Sequence, residues 1–295
     1  MVVVMAAALL GAIAGCAGSR CDSAYALGNL GPAVNSPYDD YAPSFIDTST
    51  LLLTSARIES GQIGLRDLLE QKRKASIYFS MRLGQGWDEA ARYRLMLEGM
   101  DGINGTICQA PQRSPFGAIA WVGACGQGGA PEFGCDLYAV VERTGGMLVN
   151  PGEPINTTAW EGHPFVTLDG LRLYFASDRP GGFGGVDIWH CDATEAGSWG
   201  PPTNAGPAVN TSADELSPFL DQETRTLYYA AYRPGSGLDI VYWREGMSTR
   251  APLPSPYNSP SDDFTPCISG GRLYLASNRD GGCGGFDLYS FPSPH

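Results

Sequence analysis

The sequence predicts an all-β protein, a five-bladed β-propeller closed by its own N-terminal strand, and three observations carry that prediction. The first is repetition: SFIDTSTLLLTSAR (44–57), PFVTLDGLRLYFASDR (164–179), PFLDQETRTLYYAAYR (218–233) and PCISGGRLYLASNR (266–279) are copies of one unit. Self-similarity at a period of about 40–50 residues marks a supersecondary unit that cannot bury its faces alone and stacks on its neighbours. The second is composition. With 43% hydrophobic and 17% charged residues, 39 Gly and 22 Pro, the chain has enough apolar surface for a sizeable core but is cut by turns into short strands. The third is that the last unit stops one strand short, while the N-terminal part carries a spare strand.

Aligned on the proline that opens each unit, the copies begin at Pro43, Pro115, Pro164, Pro218 and Pro266. Asn35, Asn156, Asn210 and Asn258 each lie eight residues ahead of one of those prolines, whereas the tract before Pro115 is irregular, so blade two reads as the degenerate copy. Within a unit an apolar strand follows the proline, a turn such as Leu168-Asp169-Gly170 reverses the chain, and a second strand such as LYFAS follows. Next comes a Gly-rich loop, GGFGGVDIW (181–189) or GGCGGFDLY (281–289), in which glycine takes positive φ without steric cost. The third strand opens at Asp136, Asp187, Asp239 and Asp287, with Ser76 in that place in the first unit. A turn and often a tryptophan, as at Trp87 and Trp199, lead to the fourth. Short antiparallel strands that are almost continuously apolar, because both sheet faces are covered, describe a propeller blade. Asn29-Leu30-Gly31-Pro32-Ala33-Val34-Asn35 repeats Asn204-Ala205-Gly206-Pro207-Ala208-Val209-Asn210, the passage from blade three into blade four. Residues 26–34 are therefore expected to pair with the strand at 286–291 and hide its edge.

The first fifteen residues form an apolar stretch that ends in Ile13-Ala14-Gly15-Cys16, without a Lys or Arg ahead of it. This resembles a bacterial lipobox, and the resemblance implies a signal peptide over 1–15, a lipidated Cys16, a tether over 16–25 and a propeller over 26–295. Ala17 after the lipidated cysteine implies the outer membrane, with the protein facing the periplasm or the cell surface. Eight cysteines suit an exported, oxidising location. Cys125 and Cys135 flank one hairpin loop and Cys267 and Cys283 lie on neighbouring strands, which makes these the expected disulfides. No metal or other cofactor is expected, since zinc needs C-x-x-C spacing or clustered His; calcium in the acidic loops would need oxygens converging on one point. The formal charge of -12, without a long basic cluster, argues against nucleic acid.

By S-x-[DE]-E-x-x-P followed by L-Y-F-A-S-x-R-x-G-G-x-G-G-x-D-I, the chain resembles, over about residues 26–292, the PD40 or WD40-like repeats of the TolB propeller and of OmpA-family envelope proteins. The resemblance implies a blade-building motif shared by proteins with different tasks. Neither a TolB-type α/β domain nor an OmpA-type peptidoglycan-binding domain is read in these residues, so the TolB partner role does not carry over.

Because strands alternate in direction, the entry to the first strand and the loop between the second and third lie on one face of the disc. That face gathers Asp39, Asp40, Glu161, Asp214, Glu215, Asp262 and Asp263 at the entries and Arg57, Arg179, Arg233 and Arg279 at the second-strand ends, with Cys125 in the arginine's place in blade two. One reading is a charged rim that recognises a partner; the other is that identical groups at identical positions hold the blades together. His163 stands where other copies have Ala42, Ser217 and Thr265, and no G-x-S-x-G motif accompanies it. Ser76 follows Arg57 by nineteen positions, against eight, six and eight in blades three to five, so blade one carries an insertion on this face. Its LRDLLEQKRK segment, with Leu65, Leu68 and Leu69 at helical spacing, reads as a short amphipathic helix, and DEAARYRLMLEGM (88–100) as another. The expectation is a monomeric, non-catalytic lipoprotein whose propeller binds an envelope protein, with a small-molecule or glycan ligand open. The alternative is a five-bladed glycoside hydrolase or carbohydrate-binding protein, which needs two carboxylates without arginine partners at the funnel.

Overall fold

The computed structural model describes residues 26–57, 75–93, 106–111, 114–125, 134–141, 147–235 and 237–294. Five antiparallel sheets follow one another along the chain. The first joins β1 (Asp40–Asp47), β2 (Thr50–Ser55), β3 (Ser76–Leu83) and β4 (Gly86–Trp87), and β5 (Ala91–Arg92) also pairs with β3. The second contains β6 (Ile107–Gln109), β7 (Ala118–Cys125), β8 (Cys135–Val141) and β9 (Met147–Val149). The third runs β10 (Glu161–Val166), β11 (Arg172–Ser177), β12 (Asp187–Asp192), β13 (Thr203–Asn204), and the fourth β14 (Glu215–Asp221), β15 (Thr226–Arg233), β16 (Gly237–Arg244), β17 (Ala251–Pro252). The fifth has three strands, β18 (Asp263–Ser269), β19 (Arg272–Ser277) and β20 (Asp287–Pro292).

The second strand of each blade is covered on both faces, which is why it is apolar at consecutive positions: Leu51, Leu52 and Leu53 of β2 and Leu273, Leu275 and Ala276 of β19 are fully buried. Aromatic side chains at the first strands pack from blade to blade. Phe165 meets Phe219 edge-on at 5.0 Å between the third and fourth sheets, and Phe45 meets Tyr274 at 4.8 Å between the first and fifth, which joins the ends of the ring.

The missing strand of the fifth sheet comes from the N-terminal side, as expected. Asn29 bridges Tyr289, the Leu30 N–H donates to the Leu288 carbonyl (3.0 Å), and the Ser290 N–H donates to the Gly28 carbonyl (2.8 Å). Side chains reinforce the seam: the Asn29 amide donates to Asp287 (2.9 Å), while Asn35 accepts from the Leu288 N–H (2.8 Å) and donates to its carbonyl (3.1 Å). Asn204 and Asn210 make the same bonds to Asp187 and Ile188 inside blade three, so the repeated sequence does the same physical job in both places.

Two expectations are corrected. The inner strand of blade two is β6, which pairs Cys108 with Trp121, while Pro115 lies in a 3₁₀ turn (Pro115–Gly117) before the second strand. The register makes Ile107 the equivalent of the strand prolines, so proline alignment misplaced this copy by one strand. In the stretch read as helical after Trp87, Ala91–Arg92 is instead strand β5, and residues 94–100 lie outside the described residues. Removing the Asn29 amide strands a carboxylate and unties the seam; Asn29→Ala should cost about 2 kcal/mol. Chemical denaturation would show the loss, and hydrogen exchange should locate it at the Ser290 amide rather than in blade three.

Candidate functional site

The polar rim is built by the residues that open each blade. Asp40, Glu161, Glu215 and Asp263 are the first residues of β1, β10, β14 and β18, and each is fully buried. Arg57 reaches Asp40 at 2.8 Å, Arg179 reaches Glu161 at 3.1 Å and Arg279 reaches Asp263 at 2.5 Å, all within a single blade. A hydroxyl residue four positions earlier donates both its N–H and its O–H to the same carboxylate: Ser36 to Asp40 (2.5 and 2.7 Å) and Thr211 to Glu215 (2.9 and 2.7 Å), with Thr157 and Ser259 alike in the other two. The guanidiniums are equally committed. Arg179 also donates to the Pro154 and Ile155 carbonyls and stacks over Phe175 at 4.9 Å; Arg279 donates to the Pro256 and Tyr257 carbonyls and stacks over Tyr289 at 4.8 Å.

The acid one residue earlier acts between blades. Asp39 accepts from the Phe286 N–H (3.0 Å), Asp214 from the Val186 N–H (2.9 Å) and Asp262 from the Leu238 N–H (2.8 Å). Backbone bonds flank two of these, from Asp40 to the Phe286 carbonyl and from Glu215 to the Val186 carbonyl. The close approach explains the glycines of the loop, since a Cβ on Gly184 would collide with the Ala213 carbonyl and one on Gly284 with the Tyr38 carbonyl. In the same loops Asp187 accepts from the Phe183 and Gly184 amides, and Asp287 from those of Cys283 and Gly284.

Blade four departs from this plan, and so corrects the expected pairing of Arg233. Its loop is shorter and Pro252 takes the place of the asparagine, so among the described residues Asp239 has neither of the usual donors, and it pairs with Arg233. Arg250, from the loop between β16 and β17, takes over Glu215 and donates to the Val209 carbonyl at 3.0 Å, equivalent to the carbonyls that Arg57, Arg179 and Arg279 reach from β2, β11 and β19. Repeat alignment does not find Arg250 because it enters from the loop between β16 and β17 and not from the end of a second strand. The dipeptides Asn35-Ser36, Asn156-Thr157, Asn210-Thr211 and Asn258-Ser259 are the signal that would have found the hydroxyl donors.

Cys125 and Cys135 form the expected disulfide across the loop between β7 and β8. By register Cys125 matches Asp178 and Asn278, one residue short of the arginine position. The other expected bridge does not form: Cys267 faces Tyr274 part-way down β18, whereas Cys283 sits in the loop at the rim, the length of several residues away. Cys16, Leu65, Leu68 and Leu69 lie outside the described residues.

At the next level inward, Ala42, His163, Ser217 and Thr265 share a left-handed conformation, φ 54°, 53°, 54° and 50°, each at a one-residue bulge just before the strand proline. Thr106 is the blade-two equivalent by register. Side chains of this ring reach the next blade's backbone: His163 Nδ1 accepts from the Ser217 N–H (3.3 Å), and Thr265 Oγ1 from that of Ala42 (3.2 Å). His163 is therefore an acceptor at Nδ1, its ring lies edge-on to Trp160, and burial pushes its pKa down to about 4. Burial likewise raises Asp40 and Glu215 above the ordinary carboxylate range against the pull of Arg57 and of Thr211 and Arg250. Among the described residues no group of three or more His, Cys, Asp or Glu is arranged to hold a metal ion.

The chain is similar to solved structures of different kinds. The chain is 15% identical to TolB from Acinetobacter baumannii, with 89% of this chain and 56% of that one covered and a TM-score of 0.45. It is 15% identical to a putative TolB from Agrobacterium tumefaciens, covering 89% and 93%, at 0.49. Against a GH43 β-xylosidase/α-arabinofuranosidase from a compost microbial metagenome the identity is 9%, the coverage 91% and 95%, and the TM-score 0.52. No protein-family model and no curated protein matches the chain. At 9% identity the likeness to the GH43 structure shows a shared fold alone.

Two outcomes follow from the site. Arg250→Met leaves Glu215 buried without its cation and should destabilise the fold by about 3 kcal/mol, part of which Glu215→Gln in the same chain restores; urea unfolding measures both. His163, with a folded pKa of about 4 against an ordinary 6.5, binds its proton in the unfolded chain first. Its contribution is thus complete above about pH 6.5 and declines as pH falls toward 4. His163→Thr, which can keep a hydroxyl acceptor for Ser217, should flatten that part of the profile of melting temperature against pH.

Proposed function

We propose that the protein is a non-catalytic cell-envelope lipoprotein, tethered by lipid at Cys16 to the outer membrane, whose rigid propeller serves as a docking scaffold for another envelope protein. The observation that carries this reading is the fate of the rim acids. A glycosidase needs two carboxyl groups about 5 Å apart, or about 6.5–9.5 Å for inversion, in different environments and able to reach substrate. Asp40, Glu161, Glu215 and Asp263 are instead fully buried and each paired with an arginine, and Asp214 and Asp262 accept backbone amides of the neighbouring blade. Nearly identical environments around the ring oppose the division into acid and base that catalysis requires. Recognition then falls to what differs between blades, namely the blade-one insertion between Arg57 and Ser76 and the His163–Trp160 pair, where blade three has tryptophan in place of the interblade acid.

The reading is tested by crosslinking and pulldown of the lipidated protein from envelopes, with a variant lacking residues 65–74 alongside. Loss of one specific partner from the variant, while its melting temperature is kept, is the expected result. An unchanged partner set would remove the insertion as the docking element, and release of reducing sugar from arabinan or xylan by purified protein would replace the scaffold with the hydrolase.

A further inference from the structure

The point at which the described chain begins has a defined position on the disc. The Ala26 N–H donates to the Gly281 carbonyl at 3.1 Å, and a Cβ on Gly281 would lie 3.1 Å from the Ala26 Cβ. The chain then turns over Gly28, where the Asn29 N–H returns to the Ala26 carbonyl, before it enters the seam beside β20. Gly281 belongs to the loop between β19 and β20, which is on the rim face together with the loops that carry Phe183 and Arg233. Ala26, the first described residue, therefore sits beside the rim face. The opposite face carries the turns between first and second strands, including exposed Leu168 and Leu171.

From this placement we infer that the rim face is turned toward the membrane, and the face bearing Leu168 and Leu171 away from it. The inference rests on the lipidation of Cys16 proposed above. Ten peptide units connect Cys16 to Ala26, a span of about 17 Å as a flexible coil and at most about 35 Å fully extended. The strands of a blade, six to eight residues long, are about 20–26 Å from one face to the other. To set the far face on the bilayer, the tether would have to run down the whole edge of blade five, stretched beyond its relaxed span to about 20–26 Å of its roughly 35 Å reach, with a loss of chain entropy. With the rim face inward it needs no more than its relaxed length. The innermost acids of that face do not oppose the arrangement, because Asp40, Glu161, Glu215 and Asp263 are buried against arginines, and Leu27, Phe183 and Tyr232 are exposed apolar side chains there among the described residues. The insertion proposed above for docking, on the rim face, would then meet a partner held at the membrane surface, and the far face and the circumference are left to soluble ones.

The test places one fluorophore at a time on Phe183→Cys or Leu168→Cys, two positions of the same blade that differ in height, in a Cys21→Ser background. The full chain is expressed with its own leader and the mass of its N-terminal peptide is measured. The protein is then placed in vesicles that contain a nitroxide-headgroup lipid. Quenching at least threefold stronger at 183 than at 168 is expected, and a tether lengthened by about twenty Gly/Ser residues should erase the difference. Equal quenching with the native tether, or stronger quenching at 168, overturns the inference. An unlipidated N-terminal peptide would refute the lipoprotein reading separately; in that case the same comparison is run on a chain beginning at Cys16 and coupled there to a maleimide lipid, where the same two results decide orientation.

Discussion

The ring depends on a pair of adjacent residues at the start of each blade that act in different directions. In blades one, four and five the first carboxylate, Asp39, Asp214 or Asp262, holds an amide at the end of the preceding blade's loop, and the second, Asp40, Glu215 or Asp263, anchors its own blade's arginine and hydroxyl donors. Burying a carboxylate is costly unless it is paired and its lone pairs are filled. The repeat meets that condition with a guanidinium, an N–H and an O–H in blades one, three, four and five, and the cost of leaving any one unfilled ties each of these blades to a single arrangement. The Gly-rich loop follows from the same demand, since only glycine lets one blade's backbone approach the other's so closely.

The exceptions show what is being conserved physically. Blade four has a shorter loop and no asparagine beside Asp239, so its own arginine moves there, and Arg250 supplies a guanidinium at the vacated position from the loop between β16 and β17. Blade two has a disulfide between Cys125 and Cys135 at the mouth of the equivalent loop. The connections change while the requirement stays: every loop between second and third strands that is described at its base is held by a charge pair, amide donors to a carboxylate, or a covalent bond. A rim with so many internal commitments behaves as a joint, and the features that vary from blade to blade are better placed to recognise a partner.

Most of the architecture was legible in the sequence because it is periodic. The strand positions outside blade two, the Asp that opens the third strand of blades three and five and the match between Asn29–Asn35 and Asn204–Asn210 all follow from aligning like with like. What escaped was aperiodic. The inner strand of blade two carries Ile107 where the other copies carry proline, so proline alignment slid onto Pro115. Arg250 occupies a familiar place in space from an unfamiliar place in the chain. Cys267 and Cys283 are close in the repeat pattern but sit at different heights of the blade, and height along a strand is a matter of register that spacing alone does not express. The bulge that puts Ala42, His163, Ser217 and Thr265 in the left-handed region has no residue preference in common beyond the proline that follows.

The central claim is that the rim acids are joints between and within blades, and native-state hydrogen exchange of Asp214→Ala tests it most directly. The account predicts that protection falls sharply at the Val186 amide and its blade-three neighbours, with lower global stability, while the Phe286 amide at the other side of the ring stays protected. If protection and stability are unchanged and the variant instead loses binding of a ligand or partner, Asp214 belongs to a recognition surface and the account is wrong.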